Sequence, residues 1–189
     1  MDSDAPAGAS TLGKRPCVFL DRDGVLNKRK LTLVRRLDQL VILPGVGASV
    51  ARFTKAGYAC VIATNQEFVG HGYITRPDHE AIMRAVVAAC EADGGKVDGV
   101  YACLHPKNID CDDRKPKPGM LLQAAKELDL DLARSFMVGD QRKDMKAGRG
   151  AGARTILVDH RLRTRMQGAQ RFADHVCADL RAAAEWILA

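Results

Sequence analysis

The sequence predicts an α/β fold: a mostly parallel, Rossmann-like sheet with helices on both faces. Three observations predict it. Short apolar runs alternate with helical patterns along most of the chain. The runs are nearly continuous in apolar residues, as strands covered on both faces must be. Several of them run directly into acids, amides or glycine, at the carboxyl ends of parallel strands where ligands bind. With 189 residues, the chain suffices for one well-packed domain and is short for two.

Residues 1–14, "MDSDAPAGASTLGK", are small and polar with two acids. They read as a flexible tail, not as a signal or transit peptide, and residues 15–189 read as a single domain. "CVFL" (17–20) reads as the first strand. "VGASVARFTKAG" (46–57) reads as a helix after the break at Pro44-Gly45, ended by Gly57. "YACVIA" (58–63) is the second strand. A helix over 76–95 carries Pro77 in its first turn and glycines past its end. "GVYACL" (99–104), "SFMVG" (135–139) and "RTILV" (154–158) are three more strands, with helices over 118–130, 142–150 and about 177–188.

Composition narrows the function classes. No apolar run reaches the ~20 residues of a membrane span. The net charge of +6 suits phosphorylated or other anionic partners. Aromatic residues are only 5%, which argues against a base-stacking surface for nucleic acid. The basic clusters at 28–30, 35–36 and 161–165 read first as solvated surface, with one or two of Lys28, Arg29, Arg35 and Arg36 placed to grip the distal part of a substrate. The expectation is a monomeric cytoplasmic protein acting on a small molecule.

The residues behind the strands carry the chemistry. "DRDG" follows the first, "TNQ" the second and "DQRKD" the fourth, so these clusters should converge on one edge of the sheet. Asp21, Asp23, Asp140 and Asp144 would then crowd together. Unpaired carboxylates repel and raise each other's pKa, and hard oxygen ligands with open positions favour Mg²⁺. Thr64 and Asn65 add neutral donors, and Lys115 adds a positive charge. The set suits phosphoryl transfer, which needs mainly positioning and charge neutralisation. A carboxylate can serve as covalent nucleophile, and a second one two residues on as general acid and then base. Gly24 lets the chain turn sharply beside them.

"DRDGVLN", "TNQ", "RKPKPG" and "GDQRKD" resemble the four ordered motifs of the haloacid dehalogenase superfamily of phosphatases. The resemblance covers about residues 16–159. Within the superfamily the chain is similar to the subgroup of D-glycero-D-manno-heptose-1,7-bisphosphate and histidinol-phosphate phosphatases. The resemblance implies Asp21 as nucleophile and Asp23 as acid/base. It implies Thr64 and Asn65 around the phosphoryl group, Lys115 neutralising it and Arg114 recognising substrate. Mg²⁺ would take Asp21, Asp140 and the backbone carbonyl of Asp23, while Asp144 orders Lys115 or the metal's waters.

Members of this subgroup often carry a zinc loop, C-x-H followed by C-x-C, before R-K-P. Here "CLHPKNIDCDDRKP" supplies Cys103, His105 and Cys111, with Asp113 in the fourth place. A Cys₂-His-Asp zinc site is compatible with tetrahedral zinc chemistry; a metal-free loop is the alternative. Substrate signals are mixed. Glu67, after "TNQ", looks more like the histidinol-phosphate members, "RKPKPGM" more like the heptose members, and Gln141 replaces a lysine common in the latter. The leading expectation is a heptose-1,7-bisphosphate 7-phosphatase. Histidinol phosphate is the near alternative, and a nucleic-acid 3′-phosphatase or a non-catalytic binding protein the more distant ones. The stretch from Lys28 to Leu43 is too short for a large cap domain, and the segment between "TNQ" and "RKP" fits a helix, a strand and a loop, so an open site shaped by loops is expected. "GRGAGA" (148–153) mimics a dinucleotide fingerprint, but its helix precedes and its strand follows, the reverse of what that fingerprint requires.

Overall fold

A computed structural model describes residues 13–30, 33–159 and 168–189. The tail through residue 12 and the basic cluster at 161–165 lie outside the described residues. Six strands form one sheet: β1 (Cys17–Leu20), β2 (Ala59–Asn65), β3 (Gly99–Cys103), β4 (Phe136–Gly139), β5 (Arg154–Val158) and β6 (His175–Cys177). Their order is β3-β2-β1-β4-β5-β6, and every pairing is parallel. The expectation of a mostly parallel sheet is thus met in full. The helices are α1 (Val46–Lys55), the single turn α2 (Glu67–Gly70), α3 (Arg76–Glu91), α4 (Gly119–Glu127), α5 (Arg142–Ala151) and α6 (Leu180–Ile187).

The two-residue period of a strand builds two cores. Val18 and Leu20 of β1 face α1, α3 and α6 through Phe53, Ile82, Val86 and Ile187. Cys17 and Phe19 face the other way, onto Met120, Leu121 and Ala124 of α4. A smaller cluster seats Met145 of α5 on Leu157 of β5. Helices therefore cover both faces, and β1, β2 and β4 are buried almost throughout. β3 differs because it is an edge strand, and Val100 is exposed there.

Local chemistry sets the ends. The Thr75 side chain accepts from the Asp78 amide and caps α3, with Pro77 in the first turn. Gly152, at φ +84°, ends α5 in the left-handed conformation that glycine tolerates. Between β1 and α1 no inserted domain appears among the described residues. The chain turns back on itself, with Asn27 paired antiparallel to Ile42 and Leu43 donating to the Leu26 carbonyl. No helix among the described residues is long and apolar enough to cross a membrane.

The sheet order places a switch point between β1 and β4. Connections from these two neighbours leave in opposite directions, and a crevice opens at their carboxyl ends. Asp21 follows β1 and Asp140 follows β4.

Candidate active site

Lys115 sits at the centre of this crevice. Its side chain is fully buried, and its Nζ lies 2.9 Å from Asp21 Oδ1, 2.7 Å from the Ala63 carbonyl oxygen and 2.7 Å from Asp144 Oδ1. Burial alone would lower the lysine pKa, but Asp144 and Asp21 hold it above the usual value. The ammonium therefore stays charged. Asn65 fixes the same residue through its backbone: its Nδ2 donates to the Lys115 carbonyl at 2.9 Å, and its Oδ1 accepts from the Lys115 amide at 3.1 Å. Asn65 was expected to be a free donor for substrate; in the structure both ends of its amide position Lys115.

Carboxylate oxygens of Asp21, Asp140 and Asp144 lie within 4.8 Å of one another. Three carboxylates against the Lys115 ammonium and the Arg29 guanidinium on Asp140 leave an excess of one negative charge when all are ionised. Burial and the neighbouring Asp21 carboxylate push Asp140 up to about 8, against the opposing pull of Arg29. Burial likewise raises Asp144, although Lys115 works the other way. An oxygen cluster with this charge excess fits a hard divalent cation. Gly24 permits the close approach. Its φ is +93°, and a Cβ there would stand 2.1 Å from Asp140 Oδ2.

Asp23 lies beside this cluster in a different setting. Arg22, itself buried, donates to both its oxygens at 2.9 and 2.7 Å, Asn27 donates at 3.0 Å, and Gln66 donates at 3.0 Å. Burial works to raise the Asp23 carboxyl, but Arg22 and these hydrogen bonds hold it below its ordinary value. Gln66 also donates to Thr64 Oγ1 at 2.9 Å, so one amide ties the hydroxyl of β2 to the second carboxylate. Neither Arg22 nor Gln66 is assigned a role by motif. Gln66 was visible as the third letter of "TNQ", whereas a buried arginine gives no signal in a sequence that reads arginines as surface.

A cleft of about 270 Å³ opens onto Asp23. Arg29, Lys30 and Lys143 line its basic side, Glu67 an acidic point, and Val34, Phe68 and Ile74 its apolar wall. The other loop arginines lie elsewhere: Arg36 pairs with Asp38, and Arg35 stands over the Tyr73 ring.

Arg114 meets the cleft through one of its lining residues, Glu67. Its guanidinium pairs with Glu67 at 3.0 Å and donates to the His105 and Pro106 carbonyls. It braces the Cys/His loop against α2. Within that loop, donor atoms of Cys103, His105 and Cys111 lie together. His105 Nδ1 is 3.0 Å from Cys111 Sγ, and the two sulfurs are 3.7 Å apart. Asp113, expected as the fourth ligand, is not in that group and borders a shallow groove with Tyr101 and Met120. The chain turns after Cys111, with Arg114 donating to the Cys111 carbonyl, and this displaces Asp113 from the donor set.

Comparison with known proteins agrees with this architecture. A family model described as HAD-hydrolase-like matches residues 113–183. The D-glycero-D-manno-heptose-1,7-bisphosphate 7-phosphatase of Thermosynechococcus vestitus is 39% identical over 92% of this chain and 95% of that protein. The D-glycero-beta-D-manno-heptose-1,7-bisphosphate 7-phosphatase of Bordetella bronchiseptica is 36% identical over 90% of this chain and 97% of that one. A crystal structure of D,D-heptose 1,7-bisphosphate phosphatase from B. bronchiseptica, complexed with magnesium and phosphate, superposes with a TM-score of 0.84 at 35% identity, covering 92% of this chain and 98% of that one. With its switch-point carboxylates and these relatives, the chain belongs to the haloacid dehalogenase-like phosphatases, in the group of the heptose-1,7-bisphosphate phosphatases.

Proposed function

We propose that the protein is a Mg²⁺-dependent phosphomonoesterase that removes the 7-phosphate of D-glycero-D-manno-heptose-1,7-bisphosphate. The observation that carries the chemistry is the buried Lys115 ammonium held between Asp21 and Asp144 at the switch point. The observation that carries the substrate is the extent of the likeness to heptose-bisphosphate phosphatases.

Asp21 is the nucleophile. Lys115 holds one of its oxygens, leaving the other to attack phosphorus. The phosphorus–oxygen ester bond breaks as the aspartyl-phosphate bond forms. Asp23 gives its proton to the departing alkoxide, then takes one from the water that attacks the aspartyl-phosphate, which frees inorganic phosphate and restores Asp21. Asp23 is a stabilised carboxylate in the protein alone; an arriving phosphate dianion raises its proton affinity, and it takes up a proton from solvent before the transfer. Thr64 borders the phosphoryl site, and Asn65 acts on it through Lys115. Asp21, Asp140 and the Asp23 carbonyl hold Mg²⁺, with Asp144 fixing Lys115 behind them. The cation supplies charge neutralisation at the phosphoryl oxygens. Cys103, His105 and Cys111 hold a Zn²⁺, a metal suited to thiolate and imidazole donors.

Histidinol phosphate is the second reading, because Glu67 lines the cleft and could face an amine. Arg114 already neutralises that carboxylate, which favours the bisphosphate. Phosphate release is measured from both compounds with Mg²⁺, using Asp21→Asn as control. Preference for the heptose, absent in the variant, supports the reading; equal or reversed preference, or a fully active variant, overturns it.

A further inference from the structure

The position of Arg29 goes beyond the motif chemistry. This residue leaves β1's loop and crosses to the end of β4. Its Nε lies 2.9 Å from Asp140 Oδ2, its Nη2 3.0 Å from Asp140 Oδ1, and the same Nη2 3.4 Å from the Asp23 carbonyl oxygen. With the Gln141 amide turned to present its oxygen, that oxygen accepts from Arg29 as well. The guanidinium thus engages both oxygens of Asp140 and the Asp23 carbonyl. Those are two of the three groups assigned above to Mg²⁺, and the inference rests on that assignment. A guanidinium forked across both oxygens of Asp140 crowds and repels a small hard cation placed on the same oxygens. They compete for them.

Arg29 has somewhere to go. Its side chain is 39% exposed, against 11% for Asp140, so the arginine is the partner with open space beside it. It also lines the cleft with Lys30 and Lys143, so a modest rotation carries its charge toward an entering anion.

We propose that Arg29 is a displaceable internal counter-cation. In the metal-free protein it holds Asp140 and the Asp23 carbonyl in register. It yields these oxygens to the divalent cation, turns into the cleft, and there pairs with the anionic part of the substrate distant from the reacting phosphorus. One residue thereby couples metal loading to substrate capture.

The consequence for metal affinity is opposite in sign to that of a positioning ligand. Removing Arg29 should tighten metal binding, because the competitor is gone. Mn²⁺ serves as the probe, titrated into the full chain without substrate and followed by electron paramagnetic resonance. Arg29→Ala is expected to bind Mn²⁺ on the order of threefold to tenfold more tightly than the unaltered protein. Arg29→Lys, which keeps the charge but loses the fork, should fall between them. With saturating metal, Arg29→Ala should raise KM for the bisphosphate more than it lowers kcat. Unchanged or weaker Mn²⁺ binding in Arg29→Ala overturns the proposal. Asp140→Asn separates the two levels of the argument. If that variant loses Mn²⁺ while Arg29→Ala binds it unchanged, the metal site stands and the competition fails. If Asp140→Asn binds Mn²⁺ normally, the metal assignment and the proposal both fail.

Discussion

At the scale of single residues, the site depends on one lysine and two glycines as much as on its acids. Burial works against the charge of Lys115, and Asp21 and Asp144 offset it; the lysine in turn offsets the repulsion between the two buried acids. Gly24 and Gly139 let the acids approach: a Cβ at Gly139 would meet Asp144 Cβ at 2.2 Å, as one at Gly24 would meet Asp140. Gly24→Ala combines that overlap with a positive φ, costing about 1–2 kcal/mol for the backbone alone. It is expected to lower the thermal midpoint by several degrees and to weaken Mn²⁺ binding; a variant as stable and as metal-competent as the parent would remove the close-approach argument. The acids themselves were legible, because Asp21 and Asp23 follow an unmistakable strand. The partners of Arg114, Glu67 and the carbonyls of His105 and Pro106, were not legible, because they come together only in the folded loop. Arg29 was legible as one of four loop cations, one or two of which could grip the distal part of a substrate, but not as the partner of Asp140.

At the scale of elements, the strands carry most of what could be read. β1 to β5 stand close to where apolar runs put them. β2 runs two residues further than expected, so Thr64 and Asn65 lie within the strand and not behind it. Pairing with Ala102 and Cys103 extends it, and such pairing is invisible to a single segment. β6 was missed, since three residues after polar Asp174 make no run and Cys177 was read as the start of the last helix. Asp98 anchors the entry to β3. It accepts from the Cys60 amide and pairs with Lys96 and Arg15. Burial tends to raise its pKa, but these contacts hold it below the ordinary 3.8. Its stabilisation is therefore complete above that value and is lost as pH falls through the depressed one. Asp98→Asn should flatten the loss of unfolding free energy as pH falls below 3.8; an identical acid profile would show that Asp98 contributes nothing there. The Cys/His loop gives the other prediction at this scale. Protein purified without chelator should hold about one zinc per chain, lost in Cys103→Ser together with thermal stability. Metal-free protein of full stability would dismiss the zinc.

At the scale of the whole molecule, function follows from topology. The strand order reverses between β1 and β4, and that reversal makes the crevice in which Asp21 and Asp140 meet. Alternating apolar runs sufficed to read the fold class, and motif order sufficed to read the convergence. The cleft was not legible, because its walls come from the loop after β1, from α2 and from the start of α5, which are distant in sequence. The absence of an inserted domain after β1 or β2 among the described residues leaves the cleft to be shaped by these segments. The central claim is that phosphoryl transfer passes through Asp21. Its most direct test is to mix the protein with heptose-1,7-bisphosphate and Mg²⁺, quench in acid within one turnover, and map the phosphorylated peptide by mass. The account predicts one added phosphoryl group on the peptide containing Asp21, absent in Asp21→Asn. Turnover with no phosphoryl group on that peptide, or with the group elsewhere on the chain, would contradict it.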